Sequence, residues 1–220
     1  MSERDAARAR IRVWDLPTRL FHWLLVVAIG IMWWSAEYRE MDIHLLTGRF
    51  VLGLLVFRLV WGVIGGSTAR FANFLKGPRA AMSYLSGRAA HVLGHNPLGG
   101  WSVAAMLLLL CTQVGLGLFA SDEDGLYAGP LSHFVSYDSA RKLAHNHHLV
   151  FNILLAFMAL HVAAILFYAA VKKNNLVGPM LHGSRDAPEG AAGFTPVSPI
   201  RFLIAAAVAV VATLVLTRWL

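Results

Sequence analysis

Two histidines fourteen residues apart, His147 and His161, lie in the apolar run LVFNILLAFMALHVAAILFY and its flank. At about 100° and 1.5 Å per helical residue, fourteen steps return to within roughly 40° of one face and separate the rings by about 21 Å. An imidazole placed in hydrocarbon is costly unless something binds it. The partners that chemistry offers are metal ions, haem iron or polar groups lining a bundle interior. Two further histidines occupy comparable positions. His22 follows WDLPTRLF about one turn into an apolar run, and His44 opens the run IHLLTGRFVLGLLVFRLVWG.

The elements that must position these rings are membrane spans. With 57% apolar residues, 14% charged residues and a mean hydropathy of +0.59, the chain is an integral membrane protein. Windows of about twenty apolar residues predict five transmembrane helices. They cover about 20–36, 45–64, 101–119, 143–171 and 200–217, with the fourth beginning near Ala140 so that the HNHH cluster forms its first turns. The fold class expected is an all-α membrane protein, a four-helix transmembrane diheme bundle plus a fifth C-terminal transmembrane helix. Asp15 and Arg19, with no small-residue cleavage site, argue against a removed signal peptide. The tryptophans, mostly near the ends of apolar runs, suit either headgroup anchors or packing inside the bundle.

Orientation follows from the basic residues. An inside N-terminus puts Arg4, Arg8, Arg10, Arg12, Arg19, Arg70, Lys76, Arg79, Arg88, Lys172, Lys173, Arg185 and Arg201 on the cytoplasmic side, against Arg39, Arg141, Lys142 and Arg218 outside. The outer segments carry Glu37, Glu40, Asp42, Asp138 and the acidic run Asp122–Asp124. The net charge of +7 is thus matched to anionic lipid and not to nucleic acid. The expected location is a bacterial inner membrane, with the N-terminus cytoplasmic and the C-terminus periplasmic. Residues 65–100 contain GPRAAMSYLSGRAAHVL, which fits a helix along the inner surface. Residues 120–142 form an outer loop, and 174–198 read as a flexible inner linker.

Matching depths pairs His22 with His161 near the inner face and His44 with His147 near the outer one. Two level pairs suit two stacked haems, each needing two axial ligands. Zinc is a poor fit, because rings about 20 Å apart cannot share one tetrahedral ion and no thiolate or carboxylate accompanies either pair. Cys111 is the sole cysteine, so no CxxCH exists and both haems are expected to be non-covalent haem b. On a regular helix His145 lies about 160° and His148 about 140° from His161, so only a distortion would bring either onto iron. His91, His95, His133 and His182 fall in loops and read as solvated, with His95 in GHNPLGG the one that could touch a cofactor edge. Arg58, fourteen residues after His44, faces the interior at the inner level, where a haem propionate is the anion at hand. Arg49, Arg141 and Lys142 could serve the outer haem or simply reach headgroups. Gly48 could admit a porphyrin or only pack a helix.

The chain resembles the bacterial cytochrome b561 family, in the branch similar to the b-type cytochrome subunit of nickel-iron hydrogenases. The likeness is carried by WDLPTRLFHW, IHLLTGRFVLGLLVFRLVWG, HHLVFNILLAFMALHVAAILFY, STARFANFLKGP and GHNPLGG. It implies that the diheme core maps onto His22, His44, His147 and His161, within a bundle spanning residues 1–180, followed by a linker and fifth helix at 181–220. It implies electron transfer between membrane quinone and a periplasmic redox partner, a cytochrome c or a dehydrogenase or hydrogenase-type subunit. A freestanding superoxide:quinone oxidoreductase is the alternative, a homodimer is compatible with either, and a non-redox membrane anchor is a remote third reading. Many relatives carry Glu where this chain has His148. The fifth helix lies outside the shared core, free either to meet a partner or to anchor the C-terminus.

Overall fold

The computed structural model describes residues 8–86, 94–188 and 193–218. Arg4, Arg88, His91 and Trp219 lie outside them. In chain order the elements are β1 (Arg8–Arg12), α1 (Leu16–Glu37), α2 (Met41–Ile64), α3 (Phe71–Phe74), α4 (Pro78–Leu85), α5 (Pro97–Phe119), a 3-10 turn (Ser132–Phe134), α6 (Tyr137–Ala170), α7 (Val177–His182), β2 (Ser184–Pro188) and α8 (Pro199–Arg218). Five of them, α1, α2, α5, α6 and α8, are long and apolar enough to cross a membrane. The protein is an all-α, multi-pass membrane protein with one small two-stranded ribbon.

Local chemistry sets the helix starts earlier than the apolar windows do. Asp15 caps α1 by accepting from Thr18 N at 2.8 Å, and Pro17 sits at the first helical positions. Asn96 and Pro97 repeat the device on α5, with Asn96 Oδ1 accepting from Gly99 N at 2.7 Å. Ser136 caps α6 through Ser139 N. The resulting 34-residue helix, about 51 Å long, exceeds a hydrocarbon layer of about 30 Å, so its first turns project beyond it.

Phe21, Leu25 and Ala28 of α1, Val51 and Leu55 of α2, Leu107 and Leu110 of α5 and Leu154 of α6 form the central core. In lipid this core is held by close packing and not by exclusion from water, so shape complementarity matters more than apolar area. Trp14 and Trp61 pack inside, whereas Trp23, Trp33, Trp34 and Trp101 are exposed to the surround.

One expectation is corrected. The segment read as a flexible linker contains α7 and β2, and β2 pairs antiparallel with β1 from Arg8↔Pro188 to Arg12↔Ser184. Gly183, at φ 86°, turns the chain between them, and its carbonyl accepts from Val13 N and Trp14 N. Backbone pairing over five residues needs no apolar signature, so the window scan passes it by. The fifth helix, α8, packs along α2 of the same chain. Phe202 makes edge contacts with Phe57 and Trp61, Ala205 is fully buried, and Arg201 Nη1 donates to Ile64 O at 3.1 Å at the end of α2. The surface helix expected in residues 65–100 is realised as α4, and the rest of that stretch, from 87 to 93, is not among the described residues.

The bundle therefore has two distinct ends. The ribbon, α3, α4 and the start of α5 close one, called the ribbon end. The 120–136 connection closes the other, the loop end, where Gly129 N donates to Ala120 O and Leu131 N to Leu118 O, both at 2.8 Å.

Candidate haem-binding sites

At the loop end, His44 and His147 face each other with ring centroids 6.2 Å apart and planes at 72°. Each ring is fixed by a neighbouring helix. His44 Nδ1 lies 3.1 Å from Met32 O of α1, with Ser35 Oγ at 3.3 Å, and His147 Nδ1 lies 2.9 Å from Gln113 O of α5. A carbonyl only accepts, so both Nδ1 atoms carry hydrogen and both Nε2 atoms keep a free lone pair. That is the tautomer a metal-binding imidazole adopts when its other nitrogen is anchored. Two imidazole–metal bonds of about 2.0 Å plus two ring radii give a centroid separation of roughly 6 Å, which the pair matches. Both rings line a cavity of about 730 Å³, with Gly48, Arg39, Arg49 and the acidic run Asp122–Asp124 also on its wall. The residues fit a metalloporphyrin with two axial imidazoles.

The surroundings explain the fit. A Cβ on Gly117 would lie 3.0 Å from His147 Cε1, so a bare backbone is what lets the ring reach Gln113 O. A Cβ on Gly48 would touch only the tip of Met32 at 3.6 Å, in keeping with its place on the cavity wall. Arg49 is exposed at that wall. Arg141 stands outside it: its guanidinium meets Glu123 at 3.4 Å and lines an adjoining polar pocket with Lys142, His145 and His148. His148 reaches both pockets, whereas His145 lines only the polar one, and both side chains are exposed.

At the ribbon end, His22 and His161 lie within electrostatic reach of each other. His22 Nδ1 is buried and without a partner, a polar atom that burial leaves costly unless a bound group satisfies it. Arg58 is 3% exposed, its guanidinium 4.8 Å from the Phe71 ring and 6.0 Å from Phe21, with Nη1 buried and unpartnered. The acid that offsets it is Asp15, whose oxygens are committed to Thr18 N and to Trp61 Nε1 at 3.0 Å.

His95 corrects the solvated-loop reading. Its ring lies between Trp14 (4.6 Å) and Phe74 (4.7 Å), and its Nδ1 is buried and unpartnered. Burial, with the charges of Arg58, His161 and His22, pushes its pKa down to about 3. The available signal was its place between Gly94 and the Asn96–Pro97 cap, which anchors the loop to a helix start. Gln113 and Gly117 gave no signal of their own, because one acts through its backbone carbonyl and the other through a missing side chain.

No curated protein and no solved structure matches the chain. The family model for prokaryotic cytochrome b561, of the nickel-hydrogenase cytochrome b type, matches residues 13–183, from the ribbon end of α1 to the turn before β2. Since that match covers most of the chain and takes in His22, His44, Arg58, His95, His147 and His161, this protein belongs to the prokaryotic cytochrome b561 family.

Proposed function

We propose that this protein is a diheme b-type cytochrome that carries electrons across the inner membrane between the quinone pool and a periplasmic redox partner. The family is one of membrane b-type cytochromes of electron transfer; the two-haem count, the ligand pairs, quinone and the orientation are inferred from the residues that follow. The observation that carries it is the loop-end pair: two imidazoles from different helices, both with Nδ1–H donated to a backbone carbonyl, set at the spacing two axial ligands require.

On this reading His44 and His147 hold the outer haem and His22 and His161 the inner one, in a four-helix unit within residues 1–180. Residues 181–220 brace it through β2 and α8. Bound haem supplies a one-electron couple at each level. The chain does the rest. Met32 O and Gln113 O fix the tautomer and orientation of the outer ligands. Arg58 offers a buried cation to a propionate at the inner level, and Arg49 offers an exposed one at the outer. Arg141, paired with Glu123, would have to leave that partner to serve the same purpose. The unbroken α6 keeps the two levels about 21 Å apart. The ribbon end, with Arg10, Arg12, Arg19 and Arg201, is the cytoplasmic side by the positive-inside rule. Asp122, Glu123 and Asp124 then put negative charge at the periplasmic mouth of the outer cavity, where a basic cytochrome c would be steered.

The test is quantitative. The purified protein should give two haems b per chain by pyridine haemochrome, two midpoint potentials in a redox titration, and reduction by a quinol in proteoliposomes. One haem per chain, or a quinol-inert protein that reduces quinone from superoxide, would refute the assignment.

A further inference from the structure

Among the buried side-chain nitrogens at the ribbon end without a partner in the protein, which also include Arg19 Nε, His22 Nδ1 and Arg70 Nε, two stand out, Arg58 Nη1 and His95 Nδ1. One short element supports both. The Phe71 ring of α3 lies against the Arg58 guanidinium at 4.8 Å, the Phe74 ring against the His95 imidazole at 4.7 Å, and the two phenyl rings meet edge to face at 5.7 Å. Trp14 covers the other side of His95 at 4.6 Å.

The backbone beside His95 is equally fixed. Gly94, at φ 83°, makes the turn before it. Asn96, after it, donates through Nδ2 to the hydroxyls of Tyr84 and Tyr168, each at 3.0 Å, and those hydroxyls are 2.6 Å apart. Helices α4, α5 and α6 are thereby tied at one point next to His95, which fixes the backbone that carries the ring.

Two unpartnered nitrogens joined by the Phe71–Phe74 pair, within electrostatic reach of each other in a dry site, call for an acceptor, and the guanidinium calls for that acceptor to be charged. Asp15 lends Arg58 its charge but does not satisfy this nitrogen: its oxygens accept from Thr18 N and Trp61 Nε1, and Arg58 Nη1 has no hydrogen-bond partner. A neutral quinone head would leave the cation without a direct counter-charge. A lipid phosphate would have to reach a residue that is 3% exposed. A carboxylate carried on a buried cofactor meets both requirements.

We propose that His95 is a second anion-holding donor beside Arg58, and that the two share one propionate carboxylate of the haem at the inner level. This rests on the two-haem reading above. His95 is a positioning residue here, acting on the periphery of the bound group and not on iron. Its burial beside a guanidinium keeps the imidazole neutral, so it contributes one N–H and no charge repulsion to the arginine.

Replacing His95 by Phe keeps an aromatic ring between Trp14 and Phe74 and removes only the donor. In the full-length, haem-loaded protein, H95F should retain both haems and lower the inner midpoint by about 59 mV, a tenfold change for one electron. The outer midpoint should stay put, and the propionate bending band in the resonance Raman spectrum should shift. R58L should move the same component in the same direction. H95F/R58L should fall short of the sum, since both donors act on one carboxylate. H95Q, which restores a donor, should return the inner midpoint towards wild type. If H95F does not assemble, H95Q against H95L reads the same difference. An unchanged inner midpoint and Raman band in H95F, a shift in the outer component, or strict additivity would overturn the proposal. A wild-type protein with fewer than two haems would instead overturn the reading beneath it.

Discussion

Gly117→Ala is the sharpest test of the outer ligand geometry, because ordinary helix energetics predict the opposite sign. Alanine in place of a mid-helix glycine normally stabilises by about 0.5–1 kcal/mol. At 117 the new Cβ would sit 3.0 Å from His147 Cε1 and 3.3 Å from Nδ1, whereas carbon contacts settle at about 3.5–4.0 Å. The ring must therefore retreat by roughly 0.5 Å or tilt, which stretches its 2.9 Å hydrogen bond to Gln113 O past the useful limit of about 3.2 Å. Losing the group that orients a metal ligand typically costs 10–100-fold in affinity, about 1.4–2.8 kcal/mol. Purified G117A should show partial loss of haem, confined to the outer midpoint component and reversed by adding haem in excess. Gly115→Ala is the control on the same helix, since a Cβ there meets nothing within 4 Å. It should bind haem like wild type and melt no lower. Full haem retention with unaltered spectra in G117A, or equal loss in G115A, would show that His147 does not depend on this contact.

His161→Ala should lose the inner haem and keep the outer, read as half the haem per chain with one surviving midpoint; retention of two haems would refute the pairing. Gly62→Ala should destabilise by about 1–3 kcal/mol, because the added Cβ would lie 2.0–2.6 Å from Phe71 ring atoms and push that ring off Arg58. A thermal shift in detergent together with a moved inner midpoint would verify it. Trp61→Phe leaves Asp15 Oδ2 buried without its 3.0 Å donor, costing about 1–3 kcal/mol, and should lower the melting temperature without removing haem.

How much of this was legible in the sequence depends on whether the signal is carried by a side chain's period or by its surroundings. The five spans, the interior placement of Arg58 and the facing of His44 and His147 all follow from helical arithmetic on an apolar background. The arithmetic works because α6 runs unbroken from Tyr137 to Ala170, with no distortion to move His145 or His148 round the helix. The helix starts at Leu16 and Pro97 were missed by about four residues, since capping by Asp15 and Asn96 extends a helix beyond its apolar stretch. His95 was misjudged because its burial comes from Trp14 and Phe74, eighty-one and twenty-one residues away in sequence. The β1–β2 ribbon was invisible for a similar reason: its register is set by partners 172 to 180 positions apart, and its residues are mostly polar. What the period encodes is readable from one chain segment; what a distant contact creates is not.

The same arithmetic that places the histidines also places what separates them. Leu154 is seven residues from His147 and seven from His161, within roughly 20° of the same face, and is 2% exposed. It packs with Leu25, Ala28, Val51, Leu55, Leu107 and Leu110 into an apolar layer across the middle of the bundle. Every polar group argued to handle a cofactor lies to one side of that layer or the other: Met32 O, Ser35 and Gln113 towards the loop end, Arg58, His95 and Asp15 towards the ribbon end. On the two-haem reading, this layer of apolar side chains sets a desolvation barrier to a proton that an electron passing between the two levels would not meet. On that reading, separation of charge across the membrane uses two polar levels and the partition between them, and one helix with histidine, leucine and histidine at seven-residue intervals lays them out.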